Sequence, residues 1–243
     1  MTKMNSEIAV LMAAGLGTRM QPLTNTTPKP LIKVHGTPMI ETVIDGLLRR
    51  GVSKIYVVVG YKGEQFAYLS DKYDNVEFIQ NNDYMTKNNI SSIYAARGVM
   101  GKGDCFVCEA DLYLSDPSIF DKESFEGESC YFGKMVKGHS DDWVFDLDGE
   151  GYISRVGKYG EDTYNMVGVS YFKQEDAQKI ADYVTEEYAK EESSQLFWDD
   201  VVNMHLDTLR LTVHPVKAGQ ITEIDSVDEL AAIDGSYACV LAK

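Results

Sequence analysis

Ile8-Ala9-Val10-Leu11-Met12 is an unbroken apolar run, and Ala13-Ala14-Gly15-Leu16-Gly17 follows it at once. A strand that is apolar on successive residues must be covered on both faces, as in the centre of a parallel sheet. The small residues after it predict a tight turn rather than a hairpin partner. Met39, Ile40, Val43, Ile44, Leu47 and Leu48 then recur at helical spacing, with Gly51 placed to end the helix. Strands over Lys54–Val59, 76–79 and Asp104–Glu109, with a helix over 63–72, complete a strand–helix alternation. This rhythm predicts an α/β fold, a doubly wound, mostly parallel mixed sheet.

The second half reads differently. Segments 129–136, 143–146, 153–156 and 166–172 are expected as strands joined by tight turns such as Asp148-Gly149. A long amphipathic helix should turn Ala177, Ile180, Ala181, Val184 and Tyr188 inward, before a strand over 209–216 and a helix over Val227–Ile233. No low-complexity linker or internal repeat interrupts the chain. It reads as one domain over 1–243, with a nucleotide-binding half of about 1–115 and an acceptor half of about 116–243.

Charge narrows the partners. The 23 Lys and Arg against 38 Asp and Glu give a formal net charge of −15. Such a surface repels nucleic acid polymers, whose binding depends on neutralising phosphates. No stretch approaches the ~18 apolar residues of a membrane span. Residues 1–7 lack the basic-then-apolar layout of a secretion signal, so a cytoplasmic protein is expected. Cys105 and Cys108 lie inside an apolar run with no second pair or histidines to complete a zinc site, and the scattered cysteines suit a reducing compartment.

The densest chemistry lies in the turn after the first strand and just beyond it, Ala14-Gly15-Leu16-Gly17-Thr18-Arg19 and then Thr27-Pro28-Lys29-Pro30. Glycines at a strand-to-helix turn let backbone N–H groups approach a polyphosphate, and Arg19 and Lys29 add fixed positive charge. Transfer at phosphorus is catalysed largely by positioning and charge neutralisation, which this combination supplies. The string lacks the G-K-[ST] of a Walker A loop and the G-x-G-x-x-G of a dinucleotide site. Asp111, at the end of the Asp104–Glu109 strand, and Asp225, in Glu223-Ile224-Asp225, could supply the two carboxylates that magnesium takes beside phosphates. Each could equally be a cap or a solvated acid. Asn81, Tyr84, Asn89, Ser91 and Ser92 surround a second helix start, where amides and hydroxyls either cap the helix or read a pyrimidine edge.

The whole string, L-x-A-x-G-x-G-x-R-x-x-P-x-T through Pro28-Lys29 in this chain, resembles the signature of the nucleotide-sugar pyrophosphorylase superfamily. Over nearly its full length the chain is similar to the bacterial CTP:phosphocholine cytidylyltransferases. The residues that carry this are Val59-Gly60-Tyr61, Asn88-Asn89-x-x-Ser92-x-Tyr94, Glu109-Ala110-Asp111, Asp142-Trp143, Gly168-Val169-Ser170, Phe197-Trp198-Asp199-Asp200 and Thr222-Glu223-Ile224-Asp225. The resemblance implies a Rossmann-like nucleotidyltransferase fold, a triphosphate wrapped by residues 15–19, Lys29 on the phosphoryl group under attack, and magnesium on Asp111 and Asp225. It implies the small-molecule substrates CTP and phosphocholine, and the products CDP-choline and pyrophosphate.

For the acceptor, the two tryptophans stand among acids, Asp141-Asp142-Trp143 and Trp198-Asp199-Asp200. Aromatic faces with nearby acids hold a quaternary ammonium, at roughly 0.5–2 kcal/mol per contact. Trp143, Phe197, Trp198, Asp199, Glu223 and, for the acceptor phosphate, Lys158 are the expected acceptor site. Phe197 stands where the family can carry tyrosine, which leaves phosphoethanolamine or an aminophosphonate as the alternative acceptor. A sugar-1-phosphate nucleotidyltransferase and a non-enzymatic CTP- or choline-binding module are the other readings. A phosphate monoester is already anionic, so His35, His139, His205 and His214 are expected to be structural.

Overall fold

The computed structural model describes residues 6–125 and 127–241. The first five of the polar N-terminal residues therefore lie outside it. Strand β1 (Glu7–Ala13) leads to helix α1 (Met39–Arg50), β2 (Lys54–Val59), the short α2 (Tyr68–Lys72), β3 (Val76–Gln80), α3 (Ile90–Met100) and β4 (Asp104–Glu109). The second half adds β5 (Leu112–Leu114), the long strands β6 (Cys130–Leu147) and β7 (Ile153–Phe172), α4 (Gln174–Tyr188) and α5 (Trp198–Met204). β8 (Thr212–Pro215), β9 (Ile221–Glu223), α6 (Val227–Ile233) and the one-turn α7 (Ala238–Leu241) follow.

Seven strands form one sheet in the order β8-β6-β7-β4-β1-β2-β3. The pairs β4–β1, β1–β2, β2–β3 and β8–β6 are parallel, while β7 is antiparallel to both β4 and β6. The doubly wound, mostly parallel expectation holds. The alternation along β1 explains its apolar run. Ala9 and Leu11 enter the core on the face that carries α1, and Ile8 and Val10 enter the core under α3, α4 and α5. Fully burying Val10 or Leu11 contributes about 1.5–3 kcal/mol each. The same alternation separates Cys105 and Cys108, whose side chains enter opposite cores, so the pair cannot share a metal or a disulfide.

Several boundaries differ from the sequence reading. The helix expected over 63–72 is a 3₁₀ turn, Gly63–Phe66, followed by α2. The four strands expected between 129 and 172 are stretches of two long strands. Residues 133–136 pair with 163–166, and 143–147 pair with 153–158. Val144 and Phe145 also face Asn165 and Tyr164, so β6 bends back beside its partner. The turn end of the hairpin thus packs onto the core: Ile153 donates its backbone N–H to Leu211 O at 2.8 Å, and Phe145, Ile153 and Val156 are buried. The ribbon of β5 and β9, too short to show a period, was not foreseen; it pairs Glu223 with Leu112 and Thr222 with Tyr113 in antiparallel register. No helix among the described residues is long and apolar enough to cross a membrane.

Candidate active site

At β1 the chain connections diverge to the two sides of the sheet, which is where ligands bind in open α/β sheets. A cleft of about 730 Å³ opens there, beyond the carboxyl ends of β1 and β4. Ala14, Gly15, Leu16, Gly17, Thr18 and Arg19 form one wall, in the turn leaving β1. The turn is braced from β2's end: Tyr61 donates its backbone N–H to Ala14 O at 3.1 Å and its hydroxyl to Thr24 O at 2.9 Å. Thr24 Oγ1 in turn donates to Gly17 O at 2.9 Å. Gly17 has φ 61°, a region that costs a side chain energy, and a Cβ there would stand 2.9 Å from Lys29 Cβ.

The distant acids converge. Asp111 precedes β5 and Asp225 follows β9, so the antiparallel ribbon delivers both to the same end. Ser226 and Glu229 cap α6 reciprocally, and Glu229 Oε2 also accepts the Asp225 N–H at 2.7 Å. Lys29 Nζ lies 2.6 Å from Asp111 Oδ2 and 2.6 Å from Asp225 Oδ1, and Arg19 reaches Asp225 Oδ1 at 2.8 Å. Lys29 is buried; burial alone would lower its pKa, but Asp111 and Asp225 outweigh that and raise it. Burial likewise works to raise Asp225, and Lys29 and Arg19 more than reverse it, holding its carboxyl below the ordinary range.

Glu223 completes an acidic trio. One carboxylate oxygen from each of Asp111, Glu223 and Asp225 falls within 4.8 Å of the others. Lost hydration, then repulsion from Asp111 and Asp225, pushes Glu223 up to about 8. Burial and the neighbouring Glu223 and Asp111 also push Glu109 far above its usual range. Three carboxylates whose oxygens fall this close together form an all-oxygen donor set that suits a hard divalent cation, which would relieve their repulsion. Sequence reasoning passed over Glu109 as a mere neighbour of Asp111, though it sits at the same strand end.

Asn81, Tyr84, Asn89, Ser91 and Ser92 line the opposite wall of the cleft. Asn81 Nδ2 donates to Ser91 Oγ at 2.9 Å and Ser92 Oγ at 3.2 Å, and Asn81 Oδ1 accepts the Asp83 N–H. The capping alternative is not realised: no side chain caps the start of α3. Asn88, which the sequence offers only within the Asn88-Asn89 motif, and Lys87, which it does not single out, line the same wall. Proximity to that motif is the one visible signal of Lys87.

Trp143, Lys158, Phe197 and Asp199 line the far end, with Asp141 and Asp142 beside them. Trp143 meets Phe197 edge to face at 5.3 Å. Asp199 is 3% exposed, accepts the Tyr131 hydroxyl at 3.0 Å, and is pushed by burial up to about 7. Trp198 is the exception among the expected residues. It is 3% exposed, stacks on Tyr131, meets Phe172 edge to face and does not line the cleft. At the start of a helix, successive side chains diverge by about 100°, so Phe197 and Asp199 face the cleft while the indole enters the core. None of the four histidines lines the cleft.

The MobA-like NTP transferase domain family matches residues 9–124. A 2-aminoethylphosphonate cytidylyltransferase of Lancefieldella rimae is 57% identical over 96% of this chain and 94% of its own length. A choline-phosphate cytidylyltransferase of Streptococcus pneumoniae is 32% identical over 93% of this chain and 96% of its own. The solved structure of CTP:phosphocholine cytidylyltransferase from Streptococcus pneumoniae superimposes with a TM-score of 0.86 at 30% identity, covering 95% of this chain and 99% of that one. With 57% and 32% identity to cytidylyltransferases over nearly the whole length, and the same overall fold as a solved one, this chain belongs to the nucleotidyltransferase superfamily and, within it, to the bacterial cytidylyltransferases.

Proposed function

We propose that the protein transfers the cytidylyl group of CTP to 2-aminoethylphosphonate and releases pyrophosphate. The observation that carries the choice of acceptor is the position of Trp198. With that indole in the core, the far end of the cleft offers, among the described residues, the Trp143–Phe197 pair as its aromatic surface. Asp141, Asp142 and Asp199, beside these rings in the chain, line the same end, and Glu109 lines the cleft between them and the acidic trio. A trimethylammonium group is held by ring faces, whereas a primary ammonium donates hydrogen bonds and needs acceptors. The balance of carboxylates over rings fits the primary amine, and the 57% relative carries the same substrate in its name.

In this reading a phosphonate oxygen attacks the α-phosphorus, the new P–O bond forms, and the bond to the β-phosphate oxygen breaks. Residues 14–19 wrap the triphosphate. Arg19 and Lys29 stabilise charge on the phosphates, the type of preorganised contribution whose loss costs about 10²–10³ in rate. Asp111 and Asp225, with Glu223 beside them, would hold magnesium, which supplies divalent positive charge to the phosphates. Asn81, Tyr84, Asn89, Ser91 and Ser92 read the cytosine, and Lys158 meets the acceptor's phosphonate. The nucleotide is thus held mainly by about 1–115 and the acceptor mainly by about 116–243.

Phosphocholine is the second reading, favoured by the edge-to-face Trp143–Phe197 contact. Pyrophosphate release separates the candidates when CTP is paired with 2-aminoethylphosphonate, phosphocholine or phosphoethanolamine, and UTP with glucose-1-phosphate. The highest kcat/KM is expected with 2-aminoethylphosphonate. A higher value with phosphocholine would reverse the assignment, turnover only with the sugar would end it, and binding without turnover would indicate a non-enzymatic module.

A further inference from the structure

Asn89 stands where the two ends of the cleft meet. Its Oδ1 accepts the backbone N–H of Trp198 at 3.0 Å, across 109 residues of sequence. That N–H belongs to the first turn of α5, where backbone donors have no partner within the helix. Asp200 Oδ2 accepts the adjacent Phe197 N–H at 2.8 Å. The start of α5, which carries Phe197 and Asp199 into the cleft, is therefore held by one internal and one remote side chain.

The neighbours of Asn89 reinforce the remote attachment. The backbone N–H of Asn88 donates to Ser194 O at 2.9 Å, and its Nδ2 donates to Gln195 O at 3.3 Å. Lys87 Nζ donates to Tyr188 O at 3.2 Å and to Ser193 Oγ. The segment leading to the acceptor residues thus hangs on the same stretch that forms the nucleotide wall. Asn89 differs from its neighbours in one respect. Its amide has one acceptor oxygen and two donor hydrogens, and only the oxygen is engaged among the described residues.

We infer that Asn89 is a positioning residue for the acceptor as well as a nucleotide contact, and so couples the two substrates. Its Oδ1 fixes the entry of α5 while its Nδ2 is offered to the acceptor edge of the base. A base that orients this amide also orders the start of α5, and with it Phe197 and Asp199. Such a coupling is reciprocal, so either substrate tightens the other by the same factor. This rests on the nucleotidyl-transfer reading above.

Two substitutions in the full chain separate the roles of the amide. Asn89→Asp keeps an oxygen for the Trp198 N–H and removes both donors. Asn89→Ala removes everything. With CTP, magnesium and 2-aminoethylphosphonate, N89D should raise the KM for CTP about tenfold and leave the acceptor KM at saturating CTP within about twofold. N89A should raise both about tenfold. By calorimetry, a non-hydrolysable CTP analogue should tighten 2-aminoethylphosphonate binding to the wild type several-fold, and this gain should vanish in N89A. An unchanged acceptor KM in N89A would overturn the inference, as would an equal rise in N89D and N89A. A wild-type chain that turns over no acceptor with CTP would instead overturn the functional reading.

Discussion

Lys29 Nζ lies 2.6 Å from Asp111 Oδ2, although 82 residues separate them. The lysine side chain is 8% exposed and the aspartate 23%, so the pair is shielded from solvent on one side only. Lys29 holds Asp225 at the same distance and thereby keeps two carboxylates close despite their repulsion. Asp111→Asn preserves shape and removes the charge. Pyrophosphate release should fall by about 10²–10³ or more, while the melting transition moves by no more than about 1 kcal/mol, as expected for a partly exposed ion pair. Loss of the fold in this variant would assign Asp111 a structural role.

Gly15 and Gly17 should respond differently to one added methyl. At Gly15 a Cβ meets nothing within 4 Å, whereas at Gly17 it meets Lys29 Cβ at 2.9 Å and Thr24 Cγ2 at 3.0 Å with φ at 61°. Gly17→Ala should lower stability by about 1–2 kcal/mol from the left-handed backbone alone. Gly15→Ala should leave stability within about 0.5 kcal/mol and raise the KM for CTP, because the methyl occupies the path of the phosphates. Denaturant unfolding beside CTP titration checks both.

The two tryptophans should separate in the same way. Trp198→Ala removes a core indole and should cost about 3–5 kcal/mol in chemical unfolding. Trp143→Ala, at the half-buried cleft wall, should leave most of that stability and instead raise the acceptor KM. An acceptor defect without destabilisation in Trp198→Ala would return the indole to the cleft.

Asp199 ties stability to pH. Its folded pKa is raised to about 7 from 3.8, so the native state binds more protons between those values than the unfolded chain. Stability should therefore fall as pH rises from about 4 to about 7, and the loss should be complete above that. Asp199→Asn, which still accepts from the Tyr131 hydroxyl, should flatten this slope and be the more stable protein at pH 8. Thermal melting across the range tests the sign.

Where the chemistry was local in sequence, it was legible. The strand β1, its glycine turn and the acid at the end of β4 could be read because a central parallel strand advertises itself by burial on both faces, and its carboxyl end faces the crevice. The pairing of Asp111 with Asp225 depended on a three-residue ribbon too short to show a period. Trp198 was misread from its flanking acids, which serve separate ends: Asp199 lines the cleft and Asp200 caps the backbone of Phe197. Asn89 looked like a helix cap, and its partner lies 109 residues away, beyond any local pattern. The long hairpin broke into four apparent strands because its bend, at 137–142 and 159–162, is mostly polar and exposed.

That hairpin divides the labour of the fold unevenly. Its base is sewn into the sheet between β8 and β4, while Asp141, Asp142, Trp143 and Lys158, at and beside its bend, line the cleft. In the proposed reaction, acceptor preference could then shift through a few residues at one bend of the hairpin and at the start of α5, with the phosphate turn and the acidic trio left as they are.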